Sequence, residues 1–206
     1  MNSSTADTDQ LIAQVSAGDV AARGELLVRH RDRLKRMVSA YLDRRLRARI
    51  DPSDVVQESL ADADGQLDAF LDKRPVPFYV WLRQITWQRL IDLHAHHLGR
   101  QKRSVKREHL WDMELAEDST AQLAERLAAS GTEPGERMAH RETLEKLHEA
   151  LAALPVADRQ ILVMRYLEAM DFREIAAALE VTDAAVRSRH RRALARLAHV
   201  LGAAPP

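Results

Sequence analysis

Cysteine is missing from this 206-residue chain. Disulfides, thiolate zinc sites and a cysteine nucleophile are therefore excluded. Aromatic residues are scarce at 4%, so the core has to be built from Leu, Ala, Val and Ile, a composition that favours helices over sheets. Glycine and proline number only 7 each, too few to break up regular structure. Charge of one sign is not in excess: 31 Lys and Arg balance 31 Asp and Glu. A uniformly basic coat is excluded, while a local basic patch is not, because net charge averages over space. No apolar run approaches the ~18 residues of a membrane span. The first ten residues are polar and acidic, without the basic and apolar regions of a secretory signal. The expectation is a cytoplasmic globular protein without a membrane segment.

What is present is helical periodicity. Leu11, Ile12 and Val15, then Leu26, Leu27, His30, Leu34, Val38 and Leu42, recur at spacings of three and four. Gly18-Asp19 punctuates the run, which predicts helices over 8–17 and 19–46. Asp51-Pro52 reads as an N-cap followed by proline at the first helical position. Val55, Val56, Leu60 and Leu67 carry that helix to about residue 70, and Pro75 and Pro77 end it. A further helix spans 78–98, with Phe78, Trp81, Leu82 and Ile85 on one stripe; Trp81 reads as core. The segment 99–107 then contributes five positive charges and no acid. Between 112 and 137 the balance reverses to seven acids against two bases, which reads as a linker over 110–138 with a short helix near 121–128. It divides the chain into two helical modules, 8–109 and 139–202. The second reads as helices over 139–153, 156–169, 172–179 and 183–201.

The end of the second module has the spacing of a helix-turn-helix. Ile175, Ala176 and Leu179 give the first helix an apolar contact face, Val181 anchors the turn, and Thr182 is placed to cap the second helix. At 100° per residue, Val186, His190, Ala193 and Leu197 form one stripe, and Ala184, Arg187, Ser188, Arg191, Arg192 and Ala195 lie opposite. From 184 to 201 the helix holds five arginines and no acid. Thr182, Ala184, Arg187, Ser188, Arg191 and Arg192 are thus the candidates for contact with base edges and phosphates in a major groove.

Here a family resemblance enters. Leu154-Pro155-Val156-Ala157-Asp158-Arg159-Gln160-Ile161-Leu162, followed by Phe172-Arg173-Glu174-Ile175-Ala176 and Val186-Arg187-Ser188-Arg189, resembles the promoter-binding C-terminal domain of bacterial sigma factors, in particular the two-domain extracytoplasmic-function group. Relative to that group, Glu180 stands at the usual turn glycine and His190 at a usual leucine. Asp51-Pro52-Ser53-Asp54-Val55-Val56-Gln57-Glu58 resembles the segment whose helix docks on the polymerase clamp, which implies that Asp54, Gln57 and Glu58 face polymerase. Ala61-Asp62-Ala63-Asp64-Gly65-Gln66 departs from the bulkier, more basic sequence common there. Trp81-Leu82-Arg83-Gln84-Ile85-Thr86-Trp87, with the basic run after it, resembles the segment that holds the melted downstream promoter element. By that resemblance the loop 68–78 frames a pocket for an unstacked base. Arg83, Trp87, Arg100, Lys102, Arg103, Lys106 and Arg107 are the candidates for the melted strand.

The resemblance implies an all-α sigma factor in two small helical domains on an acidic linker. Its partners are core RNA polymerase and promoter DNA, duplex and melted, with an anti-sigma factor as a further candidate. An enzyme is the first rival, but no phosphate loop, dinucleotide fingerprint or zinc-protease motif is present. His94, His96, His97 and His109 are the only metal-like cluster. They lack a completing carboxylate pair and sit beside cations, so no metal or cofactor is expected. The second rival is a stand-alone helix-turn-helix regulator that binds duplex DNA without polymerase.

Overall fold

A computed structural model describes residues 3–98, 115–129 and 137–200, and among them every regular element is helical. The chain divides into two compact units. Of the described residues, the first unit holds 3–38 and 46–98, and the second holds 39–45, 115–129 and 137–200.

The chain begins with α1 (Ser3–Ser16), α2 (Val20–Val28) and α3 (Arg31–Tyr41), followed by a single turn, α4 (Arg44–Arg47); the end of α3 and the start of α4, 39–45, belong to the second unit and the rest to the first. Gly18 takes a left-handed φ of 91° between α1 and α2, a conformation that strains any residue with a Cβ. Asp19 then caps α2, its Oδ1 accepting from the Ala21 and Ala22 amides at 2.8 and 3.1 Å. The single helix expected over 19–46 is broken into three. Leu26, Leu27, Leu34 and Val38 are buried on both sides of the break, so the apolar period runs on while the backbone turns. The break at Arg29-His30 aims His30 into the core. Its ring lies 5.4 Å from Phe78 and 5.8 Å from Tyr79, and its Nε2 lies 3.4 Å from Thr8 Oγ1. Burial, with Arg33 and Arg29 adding repulsion, pushes the His30 pKa down to about 3.

Next come α5 (Pro52–Lys73) and α6 (Phe78–Leu98), which pack against each other. The Asp51 side chain accepts from the Ser53 amide at 2.7 Å, and Pro52 occupies the first turn as expected. Val55, Val56, Leu60, Leu67 and Phe70 of α5 are buried, as are Leu82, Trp87 and Leu90 of α6. Removing one such side chain, as in Leu67→Ala, costs about 2–5 kcal/mol. α5 ends at Arg74, which adopts a left-handed conformation and donates its amide to the Phe70 carbonyl at 2.7 Å.

The second unit contains α7 (Glu117–Ala129), α8 (Arg137–Ala153), α9 (Val156–Leu162), α10 (Phe172–Leu179) and α11 (Asp183–Val200). Within the acidic segment read as a linker, the short helix expected near 121–128 runs over 117–129 and is docked. Leu123, Ala124 and Ser119 of α7 are buried, and the helix packs on α8 and on the turn after α9. At its start the Ser119 hydroxyl and the Ala116 amide both donate to the Ala40 carbonyl, each at 2.9 Å. The expected helix over 156–169 is α-helical only to Leu162. It then widens into a π-helical turn at Val163–Leu167, with the Glu168 amide bonding the Val163 carbonyl at 3.1 Å. The wider turn lets Val163, Met164 and Leu167 all turn inward, and Met170 beyond it is buried as well.

Candidate nucleic-acid and polymerase interfaces

The helix-turn-helix is built by local signals that agree. Asp171 and Glu174 form a reciprocal capping box at the start of α10: the Glu174 amide donates to Asp171 Oδ1 at 2.8 Å and the Asp171 amide to Glu174 Oε2 at 3.0 Å. Ile175, Ala176 and Ala178 are buried. Glu180 takes the left-handed conformation, φ 54° and ψ 40°, that the family's usual glycine adopts without strain. The next amide, Val181, returns to the Ala176 carbonyl at 3.1 Å. The turn geometry therefore survives the substitution, at a cost of about 1 kcal/mol for a Cβ in this region. Thr182 caps α11, its Oγ1 accepting from the Ala185 amide at 3.2 Å.

Along α11 the two expected faces separate. Val186, Ala193 and Leu197 are buried; Thr182, Ala184, Arg187, Arg191 and Arg192 are exposed, and Ser188 is half-buried. The Arg187 Nε donates to Asp183 Oδ2 at 2.9 Å, and the guanidinium sits 4.6 Å from the centre of the Phe172 ring. Arg191 and Arg192 make no ion pair among the described residues. His190 is half-buried in the apolar stripe, where the family has leucine. Its Nε2 lies 3.2 Å from the Tyr166 hydroxyl, and its ring stacks on Tyr166 and meets Phe172 edge-on at 5.2 Å. Burial, with the Arg165 cation nearby, holds its pKa below the ordinary histidine value. The site keeps its packing because a neutral imidazole fills a leucine-sized space and satisfies its nitrogen on tyrosine.

In the first unit, Asp54, Gln57 and Glu58 are all exposed on one face of α5, opposite Val55, Val56 and Leu60. Glu58 is already engaged, since Arg89 of α6 bridges it and Asp62 together. Arg23 of α2 likewise bridges Asp64 and Asp68, at 2.6 and 2.7 Å. The acidic departure at 61–66 thus meets arginines of the same unit, and α5 continues unbroken through it to Lys73.

Two expected contacts with the melted strand are corrected. Arg83 is 1% exposed and Trp87 2% exposed, and the Arg83 guanidinium sits over the Trp87 ring at 5.1 Å. Neither side chain is at the surface. α6 is covered on several faces, and on the stripe that carries both, Trp87 is buried and Ile91 half-buried. Arg100, Lys102, Arg103, Lys106 and Arg107 lie outside the described residues. Trp81, expected in the core, is half-buried and stacks on Phe70 with ring centres 4.4 Å apart. It therefore lies at the rim, beside the 74–77 turn. Helical spacing places it on the apolar stripe but carries no signal for how far that stripe is covered. Of the histidines, His94 is half-buried and His96 exposed; no group of three metal-ligating side chains occurs among the described residues.

Comparison with known proteins matches both units. Residues 26–104 fit the family model for sigma-70 region 2, and residues 144–197 that for sigma-70 region 4. The chain is 31% identical over 200 residues to RNA polymerase sigma factor CnrH of Cupriavidus metallidurans, covering 96% of each. It is 30% identical to the ECF RNA polymerase sigma-E factor of Salmonella typhimurium, covering 88% of each. It is 29% identical to SigD of Mycobacterium tuberculosis, covering 92% of this chain and 81% of that protein. The solved structure of CnrH in complex with the cytosolic domain of CnrY superposes with a TM-score of 0.51 at 25% identity, over 93% of this chain and 95% of that one. These matches favour promoter-directed initiation over a stand-alone regulator. Helical order, the two modules and the helix-turn-helix agree with them, and the chain belongs to the extracytoplasmic-function family of RNA polymerase sigma factors.

Proposed function

We propose a division of labour between the two units of this sigma factor. The front module, 8–109, docks on the clamp of core RNA polymerase through Asp54, Gln57 and Glu58 and holds the melted downstream element. The rear module, 139–202, sets α11 in the major groove of the upstream element, with Thr182, Ala184, Arg187, Ser188, Arg191 and Arg192 at the DNA. The acidic segment 110–138 joins them, with α7 docked on the rear unit.

The observation that carries this reading is the split of α11. Its apolar stripe is spent on α10 and the preceding helices, Arg196 pairs with Asp158 of α9, and exposed Arg191 and Arg192 make no ion pair among the described residues. Phosphate neutralisation by Arg191 and Arg192 supplies affinity, and side chains nearer the helix start read bases. Arg83 and Trp87 support the front module from inside. The basic residues of 100–107 remain the candidates for the melted strand, and the half-buried Trp81 near the start of α6 offers a stacking surface.

Each contact is weak alone, and the second becomes intramolecular once polymerase fixes the first. A formal net charge of +0 fits that logic, because the free chain has little long-range pull on DNA. No covalent step is assigned to the chain. The reading places it in the cytoplasm, where polymerase is; no helix among the described residues is long and apolar enough to cross a membrane. The CnrH complex with the cytosolic domain of CnrY supports a protein partner of the anti-sigma kind.

Run-off transcription with purified core polymerase on genomic promoter fragments tests the proposal. Discrete start sites that depend on this chain support it. Transcripts unchanged by its addition count against it.

A further inference from the structure

Among the described residues, Arg187 differs from Arg191 and Arg192 in being held from two sides. Its Nε–H is taken by Asp183 Oδ2, and its guanidinium plane is fixed near the Phe172 ring. Both supports are themselves anchored. Asp183 opens α11 directly after the Thr182 cap, one helical turn before Arg187. Phe172 opens α10 inside the Asp171–Glu174 capping box. It also takes a second guanidinium, Arg165, at 5.2 Å, and the edge of His190 at 5.2 Å.

An exposed arginine has several rotatable bonds and reaches many places; this one is confined. With Nε committed, its Nη1 and Nη2 make no hydrogen bond among the described residues, and the side chain is 58% exposed. Two parallel donors on one edge match the O6 and N7 acceptors of guanine in the major groove. The adjacent Asp183 carboxylate offsets the cation, which weakens its pull on phosphate and leaves directional hydrogen bonding as its main contribution. The ion pair is 58% and 45% exposed on its two sides, so it adds little to fold stability. The geometry points to Asp183 and Phe172 as positioning residues that aim Arg187 at one guanine of the upstream element. This rests on the assignment of α11 to that element.

The test uses the full chain with purified core polymerase and promoter fragments carrying each of the four bases at every upstream position. Arg187→Ala should abolish a guanine preference of about tenfold or more at one position. Asp183→Asn should lose most of that same preference without lowering affinity averaged over all sequences, because a negative charge near phosphates has been removed. Its thermal midpoint should stay within a few degrees of the parent. Asp183→Glu, which keeps an i,i+4 carboxylate, should restore the preference. Phe172→Leu, which keeps apolar bulk but removes the ring face, should lose part of it. The proposal is overturned if Asp183→Asn keeps the full preference, if it weakens all sequences equally, or if the base preferred is not guanine. If Arg187→Ala itself changes no base preference, the proposal is overturned; the assignment of α11 to the upstream element fails with it only if Arg191→Ala and Arg192→Ala also leave use of that element unchanged.

Discussion

The two units differ in how much of their charge they answer themselves. On the front unit the acids of α5 are largely balanced within the fold: Arg89 holds Glu58 and Asp62, and Arg23 holds Asp64 and Asp68. On the rear unit Arg191 and Arg192 of α11 are left to solvent. The contrast teaches where to look for partners. A charge answered inside its own unit adds to shape. A charge left unanswered, on a helix whose other face is fully spent on packing, is available to a ligand. By that criterion Asp54 and Gln57, which make no side-chain hydrogen bond among the described residues, are better docking candidates than Glu58.

Titration separates the units most strongly. His30 of the front unit is held neutral, with its pKa at about 3 against an ordinary 6.5. The unfolded chain takes up that proton first, so its stabilising contribution is complete above pH 6.5 and is lost as pH falls toward 3. The loss is on the order of 5 kcal/mol at the acid end. Denaturant melts of the parent and of His30→Gln across this range should show the acid-dependent slope in the parent and a shallower one in the variant. Equal slopes would remove His30 from the account.

The next largest effect concerns function. Arg187→Ala should weaken use of the upstream element by about 1–3 kcal/mol while leaving polymerase affinity unchanged, read by promoter competition and by polymerase co-elution on the same preparations. Asp54→Ala and Gln57→Ala should do the reverse, each weakening polymerase binding by about tenfold. An Arg187→Ala protein that no longer binds polymerase would erase the distinction between the units.

The smallest effect sharpens the local comparison. Glu180 holds a left-handed backbone in the turn of the rear unit. Glu180→Gly should raise the thermal midpoint, by about 1 kcal/mol of stability. A lower midpoint would mean that the Glu180 side chain contributes more than its backbone strain costs.

Much of this was legible in the sequence where local signals stand alone. Asp51-Pro52, the two prolines at 75 and 77, and the Thr182 cap fixed helix ends within a few residues. The stripe Val186, Ala193 and Leu197 gave both faces of α11. What was illegible had physical causes. The break at Arg29-His30 hides because residues before and after it face one core. Arg83 and Trp87 misled because an arginine and a tryptophan off the main stripe look like surface, whereas α6 is covered on that side too and the two stack on each other. The docking of α7 hides behind its acids: Leu123 and Ala124 are too short a stripe to stand out among Glu117, Asp118 and Glu125. The π-helical turn has no signature in apolar spacing, since an extra residue per turn shifts the phase only once.

The central claim is that the two surfaces work together only on polymerase. Anisotropy of a labelled promoter fragment, titrated with the chain alone and then with the chain plus core enzyme, tests it most directly. The account predicts weak, salt-sensitive and sequence-indifferent binding by the free chain, and tight promoter-selective binding once core is added. Tight selective binding of unmelted duplex by the chain alone, with no gain from core, would contradict it.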